Sequence, residues 1–150
     1  MKKLILTVGL PRSGKSTWAR TQGYPIVNPD SIRLAMHGEA YVPTLEHLVW
    51  TTARIMVDAL FLAGHDTVIL DACNNTKKRR DEWQSERWEL EIAIIRAKKS
   101  ECLERAGDNF RLINVIERMA TQHERVNADE APNIYYVNMK VTELQEEDTN

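Results

Sequence analysis

Cysteine is scarce in this chain, with two residues, Cys73 and Cys102, in 150. Two thiols so far apart neither staple a small fold nor offer metal-ligand spacing, so they read as reduced thiols without a role. No apolar run approaches the roughly 20 residues that a membrane helix needs, and the opening residues lack the long apolar stretch and cleavage site of a secretory signal. A cytoplasmic protein with no membrane partner is expected. An excess of one charge is missing too: the formal net charge of −2 gives no global attraction to nucleic acid. Any polynucleotide contact then falls to local clusters such as Lys77-Lys78-Arg79-Arg80 and Lys98-Lys99. There is no internal repeat, low-complexity tract or linker. What remains, 43% hydrophobic and 28% charged, suits a single soluble domain over residues 1–150 with a substantial core.

Short apolar segments alternate with helical patterns. Lys2 to Val8 is apolar, partly β-branched and bounded by Gly9 and Pro11, which predicts a strand buried on both faces. A helix from Lys15 to Thr21 stopping at Gly23, a short strand at Tyr24 to Val27, and a short helix from Ser31 to His37 follow. The clearest helix carries Leu45, Leu48, Val49, Met56, Ala59, Leu60 and Ala63 at helical spacing, with Thr44 as a cap and Gly64 at its end. Further strands are predicted at Thr67 to Asp71, Leu90 to Ala97 and Ile134 to Val137. Helices are predicted from Thr76 to about Arg87, from Ser100 to Ala106 and from Leu112 to Glu124. The alternation implies right-handed crossovers and an α/β fold, a three-layer α/β/α sandwich with a mostly parallel sheet; the loop and the resemblance described below make the expected form of it the P-loop NTPase sandwich with a helical lid.

The stretch Gly9-Leu-Pro-Arg-Ser-Gly14-Lys15-Ser16-Thr17 satisfies the phosphate-loop pattern, and it does so between a predicted strand and a predicted helix. Backbone N–H groups over Gly9, Arg12, Ser13, Gly14, Lys15, Ser16 and Thr17 would converge on phosphate oxygens. Lys15 would reach the β- and γ-phosphates and the Ser16 hydroxyl would coordinate Mg2+. Arg12 is the odd member, a bulky residue expected at negative φ.

A bound triphosphate serves hydrolysis, switching or transfer, so the next question is whether an acceptor has a base. Asp30 follows the second strand at the carboxyl edge of the sheet and precedes Arg33 by one helical turn. Its carboxylate could take a hydroxyl proton while Arg33 holds an anion on the acceptor, or Asp30 could be an ordinary N-cap. Asp71 closes a strand where a carboxylate would meet the metal, or else is a turn residue. Arg118 and Arg125 lie a heptad apart on one predicted helix, after Arg105 and Arg111, and could line a lid. The histidines show no paired spacing. Trp18, Trp50, Trp83 and Trp88 read as packing residues.

The opening "MKKLILTVGLPRSGKSTWAR", followed in order by "NPDSIR" and "LDACNNTKKRR", resembles the kinase domain of bacteriophage-type polynucleotide 5′-kinases, within the P-loop kinase superfamily. The resemblance implies that Lys15 and Ser16 serve ATP and Mg2+, that Asp30 is the general base on a 5′-hydroxyl, and that Arg33 contacts the acceptor's neighbouring phosphate. It further implies that Asp71 supports the site near the metal. "VIERM", Val115 to Met119, resembles the lid helix of small P-loop kinases and makes Arg118 the lid arginine. Arg12 departs from that family, which commonly has glycine there. The expected activity is transfer of the γ-phosphoryl of ATP to the 5′-hydroxyl of DNA or RNA. The alternatives are the same machinery acting on a nucleoside, nucleotide or sugar derivative, and a nucleotide-dependent switch.

Overall fold

The computed structural model describes residues 1–39 and 41–138; the acidic end Glu146-Glu147-Asp148, read as frayed from its composition, lies outside them. Five strands form one sheet: β1 (Lys3–Val8), β2 (Ile26–Val27), β3 (Thr67–Leu70), β4 (Glu89–Arg96) and β5 (Asn133–Asn138). Their order is β2-β3-β1-β4-β5, and every pairing is parallel. Parallel neighbours need crossovers, supplied by α1 (Lys15–Thr21), α2 (Pro29–His37), α3 (Glu46–Leu62), α4 (Lys77–Asp81), α5 (Lys99–Ala106) and α6 (Phe110–Gln122). No helix among the described residues is long and apolar enough to cross a membrane.

The period-2 geometry of a strand sorts the side chains of β1. Leu4, Leu6 and Val8 join Val68, Leu70, Leu90 and Ile92 against Val49, Ala53, Val57 and Phe61 of α3. Ile5, on the other face, meets Trp18 and Ala19 of α1 with Ile69, Ala93 and Ile95. Both faces are covered, hence the unbroken apolar run of the first strand. A third cluster joins Cys102 and Ala106 of α5 to Ile116 of α6, with Leu10 of the phosphate loop packed against it. That pair of helices is the lid-like element, and its apolar seam rests on the loop.

Several boundaries differ from the sequence expectation for physical reasons. The helix predicted to reach Arg87 stops at Asp81. Trp83 and Trp88 are 3% and 2% exposed, and the indole N–H of Trp88 donates to the Trp83 carbonyl at 2.8 Å. Burying both indoles under α3 takes the chain out of the helix. Thr44 does not cap α3; it lies inside a 3-10 turn, Pro43–Leu45, and Leu45 stands at the N-cap position. Leu48 and Met56 remain 42% and 39% exposed, because the buried stripe of α3 runs through Val49, Ala53, Val57 and Phe61 instead. The helix of Arg118 ends at Gln122, so Arg125 is not on it. The carbonyls of Glu124 and Arg125 accept from Arg80 Nη2 at 3.0 and 3.3 Å, which pins that segment as a strap.

Candidate active site

The loop between β1 and α1 is tied down by backbone bonds. Gly9 N–H donates to Cys73 O at 3.2 Å, Ser13 N–H to Leu10 O at 3.1 Å and Trp18 N–H to Gly14 O at 3.0 Å. A Cβ on Gly9 would lie 2.7 Å from Ser13 Oγ and 3.3 Å from Ile95 O, so only glycine lets the loop leave the strand here. Arg12 corrects the expectation of a negative φ: it sits at φ 67, and Gly14 at φ 101. Left-handed backbone costs a side-chain-bearing residue on the order of 1–2 kcal/mol. Part of the compensation is visible, since Arg105 Nη1 of α5 donates to the Arg12 carbonyl at 2.8 Å and Glu101 holds Arg105 from the neighbouring turn.

At the start of α1, Ser16 Oγ donates to Asp71 Oδ2 at 2.7 Å, and Asn28 Nδ2 donates to the same oxygen at 3.1 Å. Asp71 is 3% exposed, and its other oxygen, Oδ1, is buried without a hydrogen-bond partner among the described residues. A buried anionic oxygen without a donor is costly unless a cation faces it. Ser16 and Asp71 therefore fit a hydrated Mg2+, whose remaining positions come from phosphate and water. Among the described residues no group of three His, Cys, Asp or Glu could cage a metal, so the ion would arrive with a phosphate chain. Lys15 lies beside Cys73, whose thiol burial pushes up although the lysine pulls it down. That thiol stays protonated near neutrality.

Asp71 is placed by Thr7. The Thr7 hydroxyl donates to Ala72 O at 2.8 Å and accepts from Ala72 N–H at 3.1 Å, and Asn74 Nδ2 donates to Thr7 O at 2.8 Å. Asn74 accommodates this bridge at φ 44.

The second carboxylate stands across the carboxyl edge of the sheet. Asn28, not Asp30, caps α2: its Oδ1 accepts from Asp30 N–H at 2.8 Å and Ser31 N–H at 3.3 Å. The Asp30 carboxylate is left outside the cap, with its side chain 77% exposed and 2.6 Å from Arg33 Nη1. Arg33 is itself gripped. Its Nε and Nη2 donate to Glu46 Oε2 and Oε1 at 2.8 and 2.6 Å, a fork against a carboxylate. Three of its five donors are thus engaged, which leaves two for an acceptor anion. Burial raises the Glu46 carboxyl, and the hydrogen bonds and charge of Arg33 more than reverse it, so its pKa falls below the usual value. Glu46 stays ionised and holds the guanidinium in place.

Arg118 is exposed on α6 and makes no ion pair among the described residues; Arg105 is the arginine that touches the loop. Arg80, which looks like part of an exposed basic run, is 1% exposed and bonded to Glu130 at 2.7 Å. Asn75 Nδ2 donates to Met119 O at 2.9 Å, and His123 Nδ1 lies 3.1 Å from Asn75 Oδ1. The end of the lid helix is thereby moored just beyond Asp71. Sequence reasoning missed Glu46 and the Asn75–His123 mooring, and it named Arg105 only as one of several lid arginines, because each acts on a partner far away in the chain. Only Asn28 carried a local signal, as an Asn-Pro pair opening a helix.

This arrangement is a phosphate cradle facing an open carboxylate across the carboxyl ends of a parallel sheet. The family model of the AAA domain matches residues 4–128. The chain belongs to that family. Its fold is that of the P-loop kinases, as solved structures bear out. A chain of the Pnkp1/Rnl/Hen1 complex is 27% identical with a TM-score of 0.62, covering 69% of this chain and 38% of that one. A chain of the Pnkp1/Rnl/Hen1 RNA repair complex is 23% identical with a TM-score of 0.67, covering 81% of this chain and 43% of that one. A sugar kinase from Janibacter sp. HTCC2649 is 14% identical with a TM-score of 0.67, over 98% of this chain and 92% of that one. This AAA-domain chain therefore spans less than half the length of the repair-complex chains it matches and nearly all of the sugar kinase.

Proposed function

We propose that the protein transfers the γ-phosphoryl group of ATP to the 5′-hydroxyl of DNA or RNA in a cytoplasmic setting. The observation that carries this reading is the placement of Asp30: outside the helix cap, open to solvent and paired with an arginine that keeps two donors for an anion. Asp30 accepts the proton of the acceptor hydroxyl as that oxygen forms its bond to the γ-phosphorus and the bond to ADP breaks. Arg33, locked by Glu46, holds the first phosphate of the acceptor strand. Lys15 and the loop N–H groups steady the β- and γ-phosphates. Ser16 and Asp71 are the residues that would hold Mg2+, and the ion would supply positive charge against the phosphate chain. Arg118 closes over the moving group from the lid, and the seam of α5 and α6 on Leu10 excludes water that would compete with the acceptor.

The 27% identity to a chain of the Pnkp1/Rnl/Hen1 complex supports the polynucleotide reading. The length match to a sugar kinase favours a small acceptor as the second reading. Labelled ATP offered with a 5′-hydroxyl oligonucleotide or with a panel of nucleosides, nucleotides and sugars separates them. Label is expected on the oligonucleotide. Replacing Asp30 with Ala should cut transfer by at least about 10²-fold while ATP binding persists. Unchanged turnover in that variant would remove Asp30 as the base.

A further inference from the structure

Three of the four tryptophans are core: Trp18, Trp83 and Trp88 are 8%, 3% and 2% exposed. Trp50, one turn into α3, is only half-buried and belongs to the acceptor side. Its indole N–H helps hold Glu46 ionised, and its ring centroid is 5.9 Å from the Arg33 guanidinium carbon. The Arg79 guanidinium lies over the same ring at 4.0 Å. Beyond it opens a cavity of about 310 Å3 lined by Trp50, Thr51, Arg54, Ile55, Glu82 and Trp83. The fold thus places an aromatic plane, two arginines and an open cavity one residue contact away from the guanidinium that pairs with Asp30. A flat ring joined to a phosphodiester is the ligand whose chemistry answers all three: stacking on the indole, and charge for the guanidinium groups.

Resting on the reading that Asp30 serves a 5′-hydroxyl acceptor, we propose that the Trp50 cavity is a nucleobase subsite for that strand. A base of the acceptor strand stacks on Trp50 against the backing of Arg79, which Glu82 holds at 2.9 Å, and its phosphate lies toward Arg54 on the cavity wall. The wider opening beyond α4 ends the track. Its lining of Lys77, Lys78, Asp81, Glu82 and Glu124 carries three acids against two lysines, which disfavours a further phosphodiester. The footprint is short, and the subsite discriminates a strand from a lone nucleotide.

The experiment compares transfer to a 5′-hydroxyl oligothymidylate of six nucleotides with transfer to thymidine 3′-phosphate, which can reach Arg33 but not Trp50. In Trp50→Leu the kcat/KM ratio of oligonucleotide to mononucleotide should fall by about tenfold, within the range for one stacked base. Trp50→Phe keeps a stacking face without the N–H and should restore most of the ratio. Ile55, 62% exposed on the cavity wall, supplies a variant that spares Glu46: Ile55→Glu should lower the ratio in the same direction. Equal losses on both acceptors in Trp50→Leu, or an unmoved ratio in Ile55→Glu, would overturn the subsite. Quenching of tryptophan fluorescence by the oligonucleotide reports binding without any chemistry. It should be present in the parent and largely lost in Trp50→Phe. Quenching with no transfer to either acceptor would sink the kinase reading and leave the subsite standing, whereas transfer without Trp50-dependent quenching would do the reverse.

Discussion

On the proposed reading the site has a donor half and an acceptor half, and the two are built from different materials. The donor half is backbone: a loop between adjacent elements, hydrogen-bonded to itself and, through Gly9, to Cys73 beyond the end of β3, with Ser13, Thr17 and Asp71 at 1%, 8% and 3% exposure. The acceptor half is side chain. Asp30 is open, and its arginine is fixed by a glutamate thirteen positions away. A triphosphate is the same in every turnover, so a rigid cradle of N–H groups suits it. An acceptor varies in size and shape, and an open shelf whose charges are held by a removable carboxylate can be retuned without touching the loop.

If that contrast is correct, damage on the donor side should be global and damage on the acceptor side selective. The largest effect is expected from Lys15→Ala, which on the proposed reading removes the charge facing the β- and γ-phosphates. Loss of such electrostatic stabilisation costs on the order of 10²–10³ in kcat, and calorimetric titration with ATP should weaken in parallel. ATP affinity that survived this substitution would break the contrast. A smaller and more selective loss is expected from Glu46→Gln. The neutral amide keeps the shape but gives up the charge in the fork with Arg33, so transfer should fall about tenfold, the equivalent of a charge-assisted hydrogen bond weakened by ~1.4 kcal/mol. ATP affinity should not move. The readout is the KM for acceptor against that for ATP in the same variant.

The same contrast separates what is legible in the amino-acid order from what is not. The loop and its helix are local: Gly9 to Thr17 carries its own spacing, and α1 occupies the predicted Lys15–Thr21. The sheet follows from apolar runs buried on both faces. Asp30 and Arg33 are visible as one helical turn, but whether Asp30 caps its helix depends on Asn28, whose side chain has two possible jobs and does both, capping α2 and reaching Asp71. Glu46 gives no signal, because an ordinary first-turn glutamate becomes part of the site only when α2 and α3 pack. Arg80 misleads for the same reason. Four consecutive basic residues look like a surface patch, yet one of them turns inward to Glu130 and two carbonyls of the strap. The end of α4 is hidden as well, since Trp83 and Trp88 reveal their burial only once α3 is laid over them.

The mooring of the lid provides the finest test, because it joins α6 to the rigid donor side through a group that titrates. Asn75 donates through Nδ2 to Met119 O, which turns its Oδ1 toward His123. The imidazole therefore donates from Nδ1, and its outer nitrogen is the one that would take a proton. Burial lowers the His123 pKa, and the nearby Arg80 lowers it further against a weaker pull from Glu124. A histidine with a depressed folded pKa binds fewer protons folded than unfolded, so its contribution is complete above the ordinary value of about 6.5 and is lost as pH falls through the folded pKa. Because the ring is exposed, solvent screening keeps the effect small. Tm should therefore drop further between pH 8 and pH 5 in the parent than in His123→Gln, whose amide can donate to Asn75 without titrating. An equal pH dependence in the two proteins would show that the mooring holds by shape alone, and the lid would then share the donor side's indifference to its side chains.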